Sequence, residues 1–258
     1  MKQYKVAIIG NGMICNAAHI PAYKAMGDKV KIVAVADIRE EAAKETAERH
    51  GIPKYYVDPY KMLEEEKPDI ISVCTPNAYH KEYTLAGFRA GCHVVCEKPV
   101  AVTCADAEEM FNAAEKAGKH LFVIQSLRFT GNFKAAAGLA KSGCLGDIYY
   151  ADLNLVRRRG VPRWGMFHMA KENVGGAFCD LGVHMCDYLM SISGNPKMVS
   201  VSGSAVTRIV NKEKNIEFSN AESGAPTGLF TPRKFDMKEF DVEEFANGYI
   251  RLENGMTV

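Results

Sequence analysis

The sequence predicts an α/β protein in which a doubly wound parallel sheet is followed by a second domain that contains antiparallel strands. Two observations support the first part: residues 1–124 alternate apolar strands with helical segments, and the first strand ends in a glycine turn that leads into a helix. The third observation is that residues 197–206 alternate apolar and polar side chains almost strictly, as antiparallel strands with one wet face do. We therefore divide the chain into domains 1–124 and 125–258.

The first domain is predicted to contain six strands joined by crossover helices. The predicted strands are Val6–Gly10, Lys31–Asp37, Lys54–Val57, Asp69–Thr75, His93–Glu97 and Leu121–Gln125. The helices between them follow Gly12 and then cover Arg39–His50, Pro59–Glu66, Tyr79–Ala90 and a segment that opens at Thr103. Glycines at 51, 91 and 118 end three of these helices, and Thr103 with Asp106 forms a capping box.

The second domain has weaker signals. We predict a helix over Asn132–Lys141, a strand over Asp147–Arg157 and loops with weak edge strands over 208–247. Tyr249–Gly255 reads as a strand that enters a tight hairpin turn, with only three residues after it. A return strand this short leaves its ladder unpaired, so we expect the natural protein to continue and the second domain to be incomplete.

Composition excludes several classes of function. The formal net charge is +1, from 32 basic and 31 acidic residues, which argues against nucleic acid and anionic membranes as partners. No apolar run approaches the roughly 18 residues that span a bilayer, and strand sequence begins too early for a signal peptide. The eight cysteines form no C-x-x-C pair, which predicts a reduced, cytoplasmic chain without structural zinc or another metal site.

The glycine turn after the first strand has the pattern of a dinucleotide site. Gly10 permits the tight turn, Gly12 lets the backbone approach a diphosphate, and the helix that begins around Met13 and Ile14 offers unpaired N–H groups. The third position of the fingerprint is Cys15, which is small but is neither Gly nor Ala.

Asp37 strengthens the prediction of a dinucleotide. It ends the second strand 25 residues after Gly12, near the roughly 20-residue spacing at which a carboxylate meets the ribose hydroxyls. The alternative is a surface turn aspartate. A carboxylate here repels a 2′-phosphate and favours NAD, whereas Arg39 would soften that repulsion and admit NADP.

Two clusters follow the fourth and fifth strands, where a parallel sheet of this type binds ligands. After the fourth strand, Thr75 and Pro76 keep the backbone extended and direct Asn77 to the cofactor crevice; the alternative is that Asn77 and His80 cap the next helix. After the fifth, Glu97-Lys98-Pro99 places an ammonium at the strand end.

That ammonium has a chemical use. Lys98 can hydrogen-bond the substrate oxygen that becomes a carbonyl and stabilise its alkoxide character. The alternative is a lysine that pairs with Glu97 and points to solvent.

A third cluster runs from Gly175 to Asp187. The glycine pair at 175 and 176 lets a backbone pass close to a ligand, and Asp180 and His184 are spaced to share one face of the helix after it. His184 is suited to proton transfer, and Asp180 would orient its imidazole. The alternative is a surface Asp–His pair.

Four further residues are candidate substrate or cofactor contacts. Arg157 and Trp164 lie in a basic stretch that would bind an anionic or polyhydroxylated substrate, with the indole stacking on a sugar face, although a solvated basic loop fits equally well. Gln125 and Arg128 follow the sixth strand and by position would line the same crevice.

Together the motifs G-N-G-M-I-C, T-P-N-A-Y-H, E-K-P and G-G-A-F-C-D-L-G-V-H, with Asp37, resemble the glucose–fructose oxidoreductase/inositol dehydrogenase (Gfo/Idh/MocA) family over the whole chain. The resemblance implies an N-terminal Rossmann domain and a C-terminal domain with an open, mostly antiparallel sheet that usually forms dimers or tetramers. That sheet is longer in the family than this chain can supply.

The resemblance also implies roles. Lys98 corresponds to the catalytic lysine, Asp180 to the substrate-binding aspartate and His184 to the acid/base. Asn77, His80 and Glu97 would line the ribose and nicotinamide of the cofactor. The chain departs from the family pattern at Cys15 and at Gln125, where many members carry Asn.

The implied reaction is oxidation of a secondary alcohol of a sugar, sugar acid or cyclitol by NAD, or by NADP. An NAD-dependent, redox-neutral glycoside hydrolase and a dinucleotide-sensing regulator without catalysis are the alternatives.

Overall fold

The computed structural model of the chain describes residues 2–156, 164–210 and 228–258. Six parallel strands form one sheet in the order β3-β2-β1-β4-β5-β6. Their bounds are β1 Tyr4–Ile9, β2 Val30–Ala36, β3 Tyr55–Tyr56, β4 Ile70–Val73, β5 His93–Cys96 and β6 Leu121–Val123. This order is that of a dinucleotide-binding Rossmann sheet, which confirms the predicted doubly wound fold.

Strand β1 shows why the sheet is covered on both faces. Val6 and Ile8 belong to one buried cluster, while Ala7 and Ile9 belong to a second one on the opposite face. Successive side chains of a strand point to opposite faces, so a continuous apolar run requires helices on both sides. Because β1 and β4 pair in parallel, their carboxyl ends lie side by side at the same edge of the sheet.

The helices of the first domain are α1 Ile20–Ala25, α2 Glu40–His50, α3 Pro59–Glu66, α4 His80–Arg89 and α5 Cys104–Ala117. Their ends follow the predicted signals. Gly51 and Gly118 adopt left-handed conformations at the C-caps of α2 and α5, and the Thr103 side chain accepts a hydrogen bond from the Asp106 amide at 3.1 Å.

A π-helical turn, Cys15–His19, precedes α1. Such a turn contains one residue more than an α-helical turn and is frequent at functional sites. It is the part of the helix that stands directly after the glycine turn.

The second domain contains α6 Gly131–Lys141, α7 Ala170–Asn173, a second π-helical turn Phe178–Gly182, α8 Val183–Ser193, β7 Met198–Val206 and β8 Phe245–Leu252. Strands β7 and β8 pair antiparallel, which confirms the strand predicted from the alternating pattern at 197–206. Strand β8 starts earlier than predicted. Leu189 of α8 is buried against Leu252 and Met256, which gives this domain its own small core.

The strand predicted over Asp147–Arg157 is wrong for its described part. Residues 151–156 lie outside any strand, and Arg157 lies outside the described residues. Among the described residues, this segment pairs with the chain around Thr257 over a short stretch. There the Ala151 amide donates to the Thr257 carbonyl and the Thr257 amide donates to the Tyr149 carbonyl, each at 3.0 Å. A strand needs a neighbour along its length, and an apolar pattern alone does not provide one.

Three further findings concern the described residues of both domains. No helix in the described ranges is long and apolar enough to cross a membrane. Over the same ranges no group of three His, Cys, Asp or Glu side chains is arranged to hold a metal ion. All eight cysteines are free, and burial raises the pKa of the thiols of Cys15 and Cys96 to about 12, so both act as small apolar core residues.

Val174, directly after α7, adopts a positive φ of 72°, which a β-branched residue rarely does. We expect Val174→Gly to raise the free energy of unfolding by about 1 kcal/mol, because relief of the backbone strain exceeds the extra entropy of glycine in the unfolded chain. Urea unfolding measures this. Asn195→Gly is the control, since asparagine tolerates its φ of 65° and little change is expected there. Destabilisation by Val174→Gly would contradict the assignment of strain.

Candidate active site

The glycine turn has the geometry that a dinucleotide site requires. Gly10 has a φ of 90°, and a Cβ on it would lie 2.6 Å from the main-chain carbon and oxygen of Cys74 at the end of β4. A Cβ on Gly12, by contrast, would project into open space, so its absence leaves room at the helix N-terminus. The first amides of the helix, from Met13 and Ile14 onward, have no acceptor within the helix. They form a positive end at which a diphosphate fits.

Asp37 faces this turn rather than solvent. One of its carboxylate oxygens accepts from the Asn11 amide at 2.7 Å and the other from the Arg39 amide at 2.9 Å, and the side chain is only 12% exposed. A carboxylate has about four acceptor positions, so two remain for hydroxyl groups. The Arg39 guanidinium lies 3.8 Å from Asp37 and donates to the Thr231 carbonyl at 3.4 Å.

The residues after β4 divide into two groups. Thr75 and Asn77 lie in the turn at the strand end; the hydroxyl of Thr75 is buried without a hydrogen-bond partner, and Asn77 donates to the Asn173 carbonyl at 2.9 Å. That bond attaches α7 to the turn, which continues from Pro76 into a short helical turn at Asn77–Tyr79.

His80 does not reach the crevice. It is completely buried, with Nδ1 at 2.7 Å from the Pro99 carbonyl and Nε2 at 3.0 Å from the Thr75 carbonyl. Both ring nitrogens thus face backbone carbonyls, and the one that carries the proton donates. The interpretation of His80 as a cofactor contact is therefore corrected to that of a buried support between the two loops.

Lys98 lies at the centre of the candidate site. Its Nζ donates to Oδ1 and to the main-chain oxygen of Asp180, at 2.8 Å each, and the two side chains are 16% and 17% exposed. The Lys98–Pro99 peptide bond is cis. The alternative of a solvent-facing lysine paired with Glu97 is wrong, because the ammonium pairs across the domains with Asp180 instead.

Glu97 also has a different partner from the expected one. Its Oε1 lies 2.9 Å from Nε2 of His19, the last residue of the first π-helical turn, and both residues are buried. The resemblance implies that Glu97 contacts the cofactor, and no motif marks His19. The separation of 78 positions leaves no sequence signal for this pair, because only the packing of α1 against the sheet brings the two residues together.

His184 is oriented by Gln125. Its Nδ1 is 3.0 Å from Oε1 of Gln125, and an amide oxygen only accepts, so Nδ1 carries the proton and Nε2 keeps a free lone pair. Burial, together with the Lys98 ammonium, lowers the pKa of His184 below its ordinary value of 6.5, whereas Asp180 and Glu97 act in the opposite direction. His184 is therefore neutral near pH 7, the state a general base requires.

The expectation that Asp180 orients the imidazole is wrong. The Asp180 carboxylate accepts from the Lys98 ammonium at 2.8 Å, and Gln125 is the residue that faces Nδ1 of His184. The glycine pair before Asp180 lies close to another segment of this chain, around Glu243. Gly176 donates to the Glu243 carboxylate at 2.8 Å, and a Cβ on Gly176 would collide with the Glu243 main chain.

None of the three remaining candidate substrate contacts is shown to face the crevice. Arg128 makes a bidentate ion pair with Asp187 of α8, at 2.6 and 2.7 Å, so its guanidinium fixes α8. Trp164 is only 6% exposed and packs edge-on against Phe167, so its ring is not available to stack on a sugar. Arg157 lies outside the described residues.

Comparison with known proteins decides the family. The family model described as "Oxidoreductase family, NAD-binding Rossmann fold" matches residues 4–125, and the model of the GFO/IDH/MocA C-terminal domain matches residues 133–258. The chain belongs to the GFO/IDH/MocA family. Its first domain is the NAD-binding Rossmann domain of GFO/IDH/MocA proteins, and the glycine turn and Asp37 fit that cofactor.

Individual relatives agree with this assignment. The chain is 36% identical over 251 residues to D-glucoside 3-dehydrogenase of Escherichia coli, covering 97% of this chain and 67% of that protein. It is 30% identical over 190 residues to myo-inositol 2-dehydrogenase of Thermotoga maritima, covering 74% of this chain and 55% of that protein. The chain thus spans only part of the length of these GFO/IDH/MocA relatives.

A solved structure shows the same fold. The WlbA dehydrogenase from Chromobactrium violaceum, crystallised with NADH and UDP-GlcNAcA, superposes with a TM-score of 0.80 at 24% identity, covering all of this chain and 66% of that one. At this identity the likeness shows the fold alone.

Proposed function

We propose that the protein is an NAD-dependent dehydrogenase that oxidises a secondary alcohol of a sugar or cyclitol, with a D-glucoside as its substrate. The observation that carries this proposal is the arrangement at the centre of the site. An ammonium held by Asp180 lies close enough to the His184 imidazole, which Gln125 orients, to lower the pKa of that imidazole. The likeness to D-glucoside 3-dehydrogenase supports the choice of substrate.

The protein residues supply the proton chemistry of this reaction. His184 removes the hydroxyl proton of the substrate at Nε2, while Lys98 hydrogen-bonds the same oxygen and stabilises its developing negative charge. Asp180 holds the ammonium in place. NAD, when bound, would accept the hydride from the substrate carbon that bears this hydroxyl group. The products are a ketone, the protonated imidazole and the reduced cofactor.

NAD is the proposed cofactor in preference to NADP. The Asp37 carboxylate is held at the turn by two backbone amides, so a 2′-phosphate would meet a fixed negative charge. The Arg39 guanidinium lies 3.8 Å from this carboxylate and would soften that repulsion, so the assay below includes NADP.

Assembly and location are also proposals. Strands β7 and β8 expose apolar side chains, among them Val199, Val201 and Tyr249, which supports a homodimer or homotetramer formed through this sheet. The eight free cysteines support a cytoplasmic location. The end of β6 at Val123 supports a domain boundary near residue 124.

An absorbance assay for reduced nicotinamide tests the function. The purified protein is offered NAD or NADP with methyl D-glucosides, myo-inositol and several sugar acids. We expect reduced nicotinamide to accumulate with NAD and a glucoside, and less with NADP. Glycoside cleavage without reduced nicotinamide would favour the redox-neutral hydrolase, and tight NAD binding with no turnover of any compound would favour the sensor; either result overturns the proposal.

A further inference from the structure

The contact between His19 and Glu97 joins the segment after the glycine turn to the segment that carries Lys98. The atoms Nε2 and Oε1 are 2.9 Å apart, and each residue is only 7% exposed. A buried carboxylate is costly unless it is hydrogen-bonded, so this contact fixes both side chains relative to each other.

On one side, the pair is tied to the glycine turn. His19 ends the π-helical turn whose Asn16 side chain donates to the carbonyls of Asn11 at 3.0 Å and Gly12 at 2.9 Å. The backbone that a diphosphate would contact and the imidazole of His19 are therefore parts of one short, hydrogen-bonded unit.

On the other side, the pair is tied to Lys98. Glu97 directly precedes Lys98 in the chain. The Glu97 amide donates to the Val73 carbonyl at 3.0 Å, and the second carboxylate oxygen of Glu97 accepts from the Lys98 amide at 3.2 Å. The Lys98 side chain then extends to Asp180. A shift of His19 is transmitted through Glu97 to the backbone from which the ammonium projects.

We propose that His19 and Glu97 form a positioning pair that couples occupation of the glycine turn to the placement of Lys98. The pair does not contact the reacting atoms; it orders the ammonium when a dinucleotide binds. This inference rests on the proposed function for its kinetic consequence, but the coupling itself is measurable without any substrate.

The test removes the contact and asks whether the glycine turn still controls Lys98. His19→Leu deletes the hydrogen-bonding nitrogens, whereas His19→Gln keeps a donor near the position of Nε2. The matched control is His50→Leu, because His50 contacts the same π-helical turn, through Asn16 at 2.9 Å, and not through Glu97.

The first readout is the rate at which acetic anhydride acetylates Lys98, followed by peptide mass spectrometry with and without adenosine diphosphate. This probe supplies the diphosphate but no nicotinamide, so it does not shield Lys98 directly. We expect adenosine diphosphate to slow acetylation severalfold in the wild type, His19→Gln and His50→Leu, and not to slow it in His19→Leu. Glu97→Met removes the contact from the other side and is expected to behave like His19→Leu, should that variant fold poorly.

The second readout is kinetic. In His19→Leu we expect kcat to fall by about 10- to 100-fold, because the displaced ammonium weakens the chemical step, and KM for NAD to shift as well, because coupling between two sites is reciprocal. His19→Gln should recover most of kcat.

The inference is overturned if bound adenosine diphosphate leaves the acetylation of Lys98 unchanged in the wild type. It is equally overturned if His19→Leu is protected as well as His50→Leu is. Absence of dehydrogenase activity in the wild type would refute the proposed function instead, and the acetylation result would still decide on the coupling.

Discussion

Lys98→Met is expected to lower kcat by about 100- to 1,000-fold, the effect of removing a preorganised donor to a developing oxyanion. Its Nζ is held at 2.8 Å from the Asp180 carboxylate, and methionine has a similar length without the charge. NAD binding should persist, because the glycine turn and Asp37 are unchanged. Steady-state kinetics, with cofactor binding measured by calorimetry, check both parts.

Lys81→Met is the matched control for this variant. Lys81 is also paired with carboxylates, those of Asp106 and Glu109 at 2.6 Å each, but these lie on α5 away from the crevice. Its loss should leave kcat unchanged. A Lys98→Met enzyme with nearly normal kcat would show that the ammonium does not meet the reacting oxygen.

His184→Asn is expected to lower kcat/KM by about 100- to 10,000-fold, because it removes the general base. An asparagine amide keeps a donor toward Gln125 but offers no lone pair where Nε2 stood. The fold should therefore survive, and the melting temperature provides the check on that.

The pH dependence of the wild type follows from the same side chain. The base acts in its neutral form, and burial together with Lys98 lowers its pKa, so kcat/KM should remain on its plateau below pH 6.5 and fall only as the pH passes the lowered pKa. In His184→Asn this acid limb should disappear. An acid limb that persists unchanged in the variant would assign it to another group.

The sequence predicted the fold because the signals for it are local. A glycine that must turn after an apolar strand, capping residues at helix ends and strands without a polar face are each visible within about ten residues. The positions of Lys98, Asp180 and His184 were predictable for the same reason, since each follows a recognisable motif at a strand or helix end.

The partners of these residues were not predictable in the same way. Asp180 pairs with Lys98, and His184 takes Gln125 as its orienting partner. These contacts arise from packing between segments far apart in the chain.

The most direct test of the central claim follows the hydride itself. The protein is incubated with NAD and a methyl D-glucoside that carries deuterium at C3, and the recovered cofactor is analysed by mass spectrometry. We expect deuterium in the reduced nicotinamide, at a rate that falls sharply in Lys98→Met and His184→Asn. Binding of cofactor and glucoside without any transfer of deuterium would contradict it.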